Sequence, residues 1–366
     1  MNPAETAIQA ETMAAAAPRA SLVALADFCQ RVLAAAGADA ATAEAATRAM
    51  LHGSRLGIDS HGVRLLGHYV LVLQGGRVNP RPRMCWKGAF GAVAALDADN
   101  GHGALAAYRA MDYAVEQAAR FGLAAVGIRN SSHFGPAGAF AYAAAQAGRI
   151  GIAMCNSDSF VRLHEGAQRF HGTNPIACAV PVAGAEPWLL DMATSAVPYN
   201  RVQLYKSLGR GLPEHVASDG AGEDTQDPAA VEMLAPLGAE FGFKGAGLAG
   251  LAEIFSAVLT GMKLSFEILP MAGPDLQTPR GMGAFVMAIE PDAFTDAAAF
   301  EDGMRRYLAA LRASPVRAGG KVMAPGDREW AEAARREIAG VPLDPATVTA
   351  FETLGEKFGI APPFAP

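Results

Sequence analysis

The six residues Asp59-Ser60-His61-Gly62-Val63-Arg64 hold the densest run of reactive side chains in this 366-residue chain. Asp, Ser and His in a row suggest a Ser-His-Asp triad. Neighbouring side chains diverge on both helix and strand, however, whereas a triad converges from separate segments. No Gly-x-Ser-x-Gly elbow is present either. The better reading makes His61 a general acid–base, with an ordinary pKa near 6.5. Ser60 would orient it or the substrate. Arg64 would fork onto a carboxylate, whose two oxygens a planar guanidinium matches. The plainer alternative is a helix end carrying a surface His and Arg.

Four further segments could face a ligand. Asn130-Ser131-Ser132-His133-Phe134-Gly135-Pro136-Ala137-Gly138 follows a strand pattern and leads into a helix pattern. Small residues there let a ligand approach the backbone, and a helix start favours an anionic group. Gly172-Thr173-Asn174-Pro175 and Asp191-Met192-Ala193-Thr194-Ser195 stand beside apolar strand-like runs, where polar groups commonly border a crevice. Gly242-Phe243-Lys244-Gly245 opens a helix with a cation suited to phosphate. Each also reads as an ordinary turn or cap.

Two patterns are weak. Gly101-His102-Gly103-Ala104-Leu105-Ala106 matches a dinucleotide fingerprint, but Asp97 and Asp99 spoil the strand before it. His164 and His171 could join His61 or Asp191 on a metal, as in a metal-dependent hydrolase. The His-Glu-x-x-His spacing is missing, so no metal is expected.

The surrounding elements follow from periodicity. Ser21 to Ala36 spaces Leu22, Leu25, Phe28, Val32 and Leu33 on one helical face. Ala41 to Gly57, capped by Asp39 or Thr42, and His68 to Leu73 continue a helical unit that ends at Asn79-Pro80. Strand patterns then fall at 93–96, 124–128, 150–154, 177–180, 188–190 and 283–290, with Ala-rich helices at 105–121 and 137–147 between them. This alternation predicts an α/β layered domain. Residues 201–227 read as a long polar surface segment, and 297–313 and 327–338 as helices. The expected division is a helical part over 1–84, an α/β part over 85–295, and a helical return over 296–366.

Composition narrows the class. Hydrophobic residues are 51% and charged residues 18%, so a large core can be buried. A net charge of −6 and short, mixed arginine stretches argue against nucleic-acid binding. Cys29, Cys85, Cys155 and Cys178 lack Cys-x-x-Cys spacing, which fits reduced thiols. Residues 1–18 lack a signal-peptide pattern, and no apolar run reaches the roughly 20 residues a membrane span needs. A cytoplasmic protein without a membrane partner is expected.

Taken in order, Asp59 to Val63, Asn130 to Gly138, Gly172 to Pro175 and Asp191 to Ser195 resemble the type-2 malate/L-lactate dehydrogenase family, from about Ser21 to Pro342. That family includes sulfolactate, ureidoglycolate and diketogulonate enzymes and piperideine-carboxylate reductases. The resemblance implies a non-Rossmann α/β NAD(P)-binding domain with a mixed sheet, a helical domain built from both chain ends, and a homodimer. It implies that His61 donates the proton with Ser60 as helper, and that Thr173 meets a small carboxylate substrate, which Arg64 would hold on the reading of the residues given above. It implies NAD or NADP contacts at His133, Phe134, Gly135, Pro136 and Ala137, at Asp191, Met192 and Ala193, and at Lys244 and Gly245. The activity implied is hydride transfer between nicotinamide and a 2-hydroxy or 2-oxo acid. A cyclic-imine carboxylate reductase or a non-catalytic cofactor-binding relative are the alternatives. Three positions depart from the family pattern. Leu65 stands where arginine is common, Tyr199-Asn200-Arg201 replaces an Arg-Gly-Lys or His-Gly-Asp run, and Ala284 replaces a histidine.

Overall fold

The computed structural model describes residues 17–364. Residues 1–16, part of the stretch read above as lacking a signal peptide, lie outside them. Helix α1 (Leu22–Ala35) starts where Ser21 Oγ accepts the Ala24 amide at 3.1 Å. It buries Leu25, Phe28, Val32 and Leu33, the face its spacing predicts. Asp39 caps α2 (Ala40–Arg55) by accepting the Thr42 amide at 2.8 Å. Helix α3 (Leu66–Gly75) ends on Gly76 at φ 87°, a left-handed residue that glycine adopts without strain. These helices share one core with the C-terminal segment, where Phe28 meets Phe351 at 4.9 Å.

The main sheet has seven strands: β1 (Cys85–Phe90), β2 (Val93–Asp97), β3 (Leu123–Ser131), β4 (Ile150–Cys155), β5 (Ile176–Val180), β6 (Trp188–Met192) and β7 (Met282–Ile289). Their order is β1-β2-β3-β7-β4-β5-β6. Only β2 and β3 run parallel; every other neighbouring pair is antiparallel. The sheet is therefore mixed. Helices α4 (Gly103–Phe121) and α5 (Gly138–Gln146) cover one face, burying Ala124, Val126 and Ile128 of β3 and Val286 of β7. Ala125 and Phe285, which alternate with them, pack on the other face against Met154 and Ala252. The buried alanines of α4 let it lie close to the strands.

Residues 201–227 correct the expectation of a plain surface loop. They continue helix α6 (Tyr199–Ser207) and include the strand Ala217–Ser218. That strand joins Met233–Leu234, Val161–Arg162 and Arg169–His171 in a second sheet. Beyond it come α7 (Phe243–Glu253), α8 (Ala297–Arg312), α9 (Asp327–Ala339) and α10 (Pro345–Phe358). Helix α7 ends at Glu253 and passes into a π-helical turn over Ile254–Val258. Helix α10 returns to the N-terminal helices, and α9 lays Ala333 and Trp330 against the core of the sheet domain.

Candidate active site

His61 ends a 3₁₀ turn, Asp59–His61, and that turn is clamped from a distance. Asp59 receives both ends of the Arg336 guanidinium, at 2.5 and 2.9 Å, from α9, 277 residues away. Arg336 also donates to the Ser54 carbonyl at 2.6 Å, and Ser54 Oγ accepts the Val63 amide at 2.9 Å. Backbones meet closely here: a Cβ on Gly53 would stand 2.7 Å from the His61 carbonyl oxygen. The adjacent Asp of the motif is thus a clamp for the turn and not a catalytic partner of His61. Ser60 Oγ and His61 Nδ1 share a hydrogen bond of 2.9 Å, leaving Nε2 for other partners. Burial pushes the His61 pKa below its usual value, because a charged imidazolium loses hydration there.

The structure does not bring Arg64 into this group. Gly62 adopts an extended conformation between the two 3₁₀ turns, so the turn Val63–Leu65 no longer continues the face of His61. Arg64 is exposed, 3.8 Å from Asp344 at the start of α10. Leu65 is buried in the helical core.

The loop after β3 packs beside the His61 turn. The His133 and His61 rings lie 5.8 Å apart and nearly parallel, at 25°. Tyr69, from α3, shares a 3.0 Å hydrogen bond between its hydroxyl and His133 Nδ1. Burial drives the His133 pKa well below the usual value, reinforced by His61, His68 and Arg280 nearby. Burial likewise raises the Tyr69 phenol, which keeps its proton. Gly135 turns the chain at φ 86°. Phe134 and Ala137 point into the core, Phe134 stacking on Phe140 at 4.8 Å, so only their backbone is left for a ligand. Pro136 is buried as well.

Asp191 closes β6 and holds the start of α5, its Oδ2 accepting the Gly138 amide at 2.9 Å. Burial lifts its pKa to about 6, against that hydrogen bond. Met192 and Ala193 beside it are half-open. The Thr173 carbonyl accepts the Thr194 amide at 2.9 Å and the Thr194 hydroxyl at 3.1 Å, tying the two polar turns together. Asn174 anchors its own turn through Glu253, at 2.7 Å. The Leu237 amide donates to the Thr194 carbonyl at 2.9 Å. Gly245 packs directly on Leu237, so the start of α7 also joins this region. Lys244 is exposed there, its ammonium 5.2 Å from the Phe241 ring.

The glycines at 101 and 103 have a packing role. The Gly103 amide donates to Ser132 Oγ at 3.0 Å, and its Cα lies against the Ser132 carbonyl. Helix α4 is thereby capped by the protein itself. Among the described residues no three His, Cys, Asp or Glu side chains gather as a metal site requires. Sequence reasoning missed Tyr69, Arg280 and Arg336, none of which lies in a motif, and gave no role to His102 inside the glycine pattern at 101–106. Each reaches the site only through tertiary packing.

The family model for malate/L-lactate dehydrogenase matches residues 21–352. The chain belongs to that family. A malate dehydrogenase of Pyrococcus abyssi is 36% identical over 294 residues, 78% of this chain and 80% of that protein. The ureidoglycolate dehydrogenase (NAD(+)) of Escherichia coli K12 is 32% identical, covering 80% of this chain and 83% of its own length. The crystal structure of malate dehydrogenase from Entamoeba histolytica superposes with a TM-score of 0.89 at 27% identity, over 95% of this chain and 100% of that one. The protein is accordingly an oxidoreductase of the dehydrogenase class, built on the mixed-sheet fold of its relatives.

Proposed function

We propose that the cleft between the Ser60–His61 turn and the His133 loop is an NAD(P)-dependent active site for a small 2-hydroxy or 2-oxo acid. The observation that carries this is the pair of half-buried imidazoles, each bonded at Nδ1 and each with Nε2 left over. The residues suit a dinucleotide. The half-open Met192 and Ala193 offer an apolar shelf beside the remaining oxygen of Asp191, and exposed Lys244 offers a cation for phosphate. His133, the backbone of Phe134 to Ala137, Asp191 to Ala193, and Lys244 and Gly245 would hold it. The bound nicotinamide supplies or accepts the hydride.

The chain's own groups then do three things. Ser60 fixes the His61 ring, so that Nε2 takes the hydroxyl proton in oxidation and returns it in reduction. His61 is neutral at pH 7, since burial lowers its pKa, and so is ready as a base. The Thr173 hydroxyl stands at the turn joined to Thr194, where it can meet the substrate. A homodimer is part of the proposal. Leu248, Leu251, Ile254, Val258 and Leu259 are exposed on α7 and the turn after it, an apolar stripe suited to burial against a second copy. A cytoplasmic location fits the four free thiols.

Replacing His61 with Asn should lower kcat by about 10²–10⁴-fold and leave the Kd for NADH or NADPH nearly unchanged. A panel of pyruvate, oxaloacetate, other 2-oxo acids and cyclic imine carboxylates, followed by nicotinamide absorbance, gives the reference rates. A variant with undiminished turnover removes His61 from the chemistry.

A further inference from the structure

On the far side of His133 lies a slot lined by His68, Tyr69, Arg77, His102, Ser132 and Arg280. Arg280 is 3% exposed and sits just before β7. Its Nε donates to the Leu269 carbonyl at 2.8 Å and its Nη2 to the Asp158 carboxylate. Its Nη1 is buried and has no partner. Arg77, 2% exposed, gives Nη1 to the carbonyls of Pro270 and Met271 at 3.1 and 3.2 Å. Its Nε and Nη2 are also buried and unpartnered. The two guanidiniums repel one another, and Asp275, which attracts Arg77, stands out in solvent. One carboxylate, Asp158, therefore faces two buried cations. Unpaired guanidinium edges away from water are costly, so this slot calls for an anion.

We infer that Arg280, backed by Arg77, binds the substrate carboxylate, the role that Arg64 is turned away from. This rests on the proposed dehydrogenase reading. The slot is narrow, which suits a carboxylate and not a bulky anion. His133 forms its wall and also neighbours His61. A short molecule with its carboxylate in the slot therefore leaves the rest beside the two imidazoles. The guanidinium fork gives directional recognition that an ammonium lacks.

The test compares the unaltered protein with Arg280→Lys, Arg280→Gln and Arg77→Gln. Calorimetry measures oxalate binding to the dinucleotide-loaded protein, and steady-state rates are taken with pyruvate and with pyruvamide. Arg280→Gln should raise the oxalate Kd and the pyruvate KM about 10–100-fold. Its kcat should stay within a few-fold and its dinucleotide Kd should not move. Preference for the acid over the amide should collapse, which a purely structural loss would not cause. Arg280→Lys should recover part of the affinity, and Arg77→Gln should show a smaller rise, so the result survives if one variant fails to fold. Unchanged oxalate affinity in the folded variants overturns the inference, as does equal loss for acid and amide. A rise in the NADPH Kd alone would assign the slot to a cofactor phosphate and overturn it too. If the unaltered protein turns over nothing yet binds oxalate through Arg280, the anion site stands and the dehydrogenase reading falls.

Discussion

The two walls of the cleft are held by different forces. On the helical side, the turn bearing His61 is fixed by a charged fork from Arg336, 277 residues away in sequence. On the sheet side, the His133 loop is fixed by close backbone packing at Gly103 and by a neutral hydrogen bond from Tyr69. Both walls rest on close backbone packing, at Gly53 and at Gly103, but only the first adds a charged long-range fork. Changes of volume should therefore harm both sides, and changes of charge the helical side most.

Among the single substitutions, Gly103→Val gives the largest expected effect on stability. Its side chain would enter the Ser132 carbonyl and Phe134, both backed by core, so stability should fall by about 3 kcal/mol. Urea unfolding measures this, and a loss under 1 kcal/mol would show that the sheet wall can relax. Arg336→Met should follow, at about 2 kcal/mol. The guanidinium is 5% exposed, whereas the Asp59 side chain is half in solvent, which softens the loss. It should also lower kcat, because the His61 turn loses its clamp; an unaltered kcat would free catalysis from α9.

Acid should then weaken both walls together. Burial pushes His52 on the helical side and His102 on the sheet side down to about 3. The folded protein holds both neutral, while the unfolded chain takes up protons below about pH 6.5. Their depressed pKa values thus leave stability intact above that pH. Each histidine should then cost about 1 kcal/mol per pH unit on acidification, down to about pH 3. Unfolding measured from pH 7 to 5 checks this, and the double variant His52→Gln, His102→Gln should flatten the slope. Tyr69→Phe is the smallest change. It removes one hydrogen bond to His133, worth about 1 kcal/mol, and should slow kcat a few-fold; a larger loss would give Tyr69 a part in proton movement.

Much of the frame was legible from residues alone. The caps at Ser21 and Asp39 and the face of α1 follow from local chemistry, and the buried strands from their apolar runs. The strand Cys85–Phe90 escaped notice because all six residues are exposed, so no alternation marks it. Helix α6 was hidden in a polar stretch that lacks an apolar stripe. At the site, the Ser60–His61 pair was legible because its members are adjacent. Arg64 stands apart from the pair because the extended Gly62 breaks the face that spacing suggests. Arg280 and Arg336 carry no local signal, since their partners lie 122 and 277 residues away.

The Arg336 clamp also bears on how the enzyme comes into being. Synthesis proceeds from the N-terminus, so Asp59 leaves the ribosome long before the guanidinium that secures it. A nascent chain ending near residue 300 already contains His61 and the whole of β7, yet its Asp59–His61 turn lacks the Arg336 fork. That fork closes only once α9 has been made.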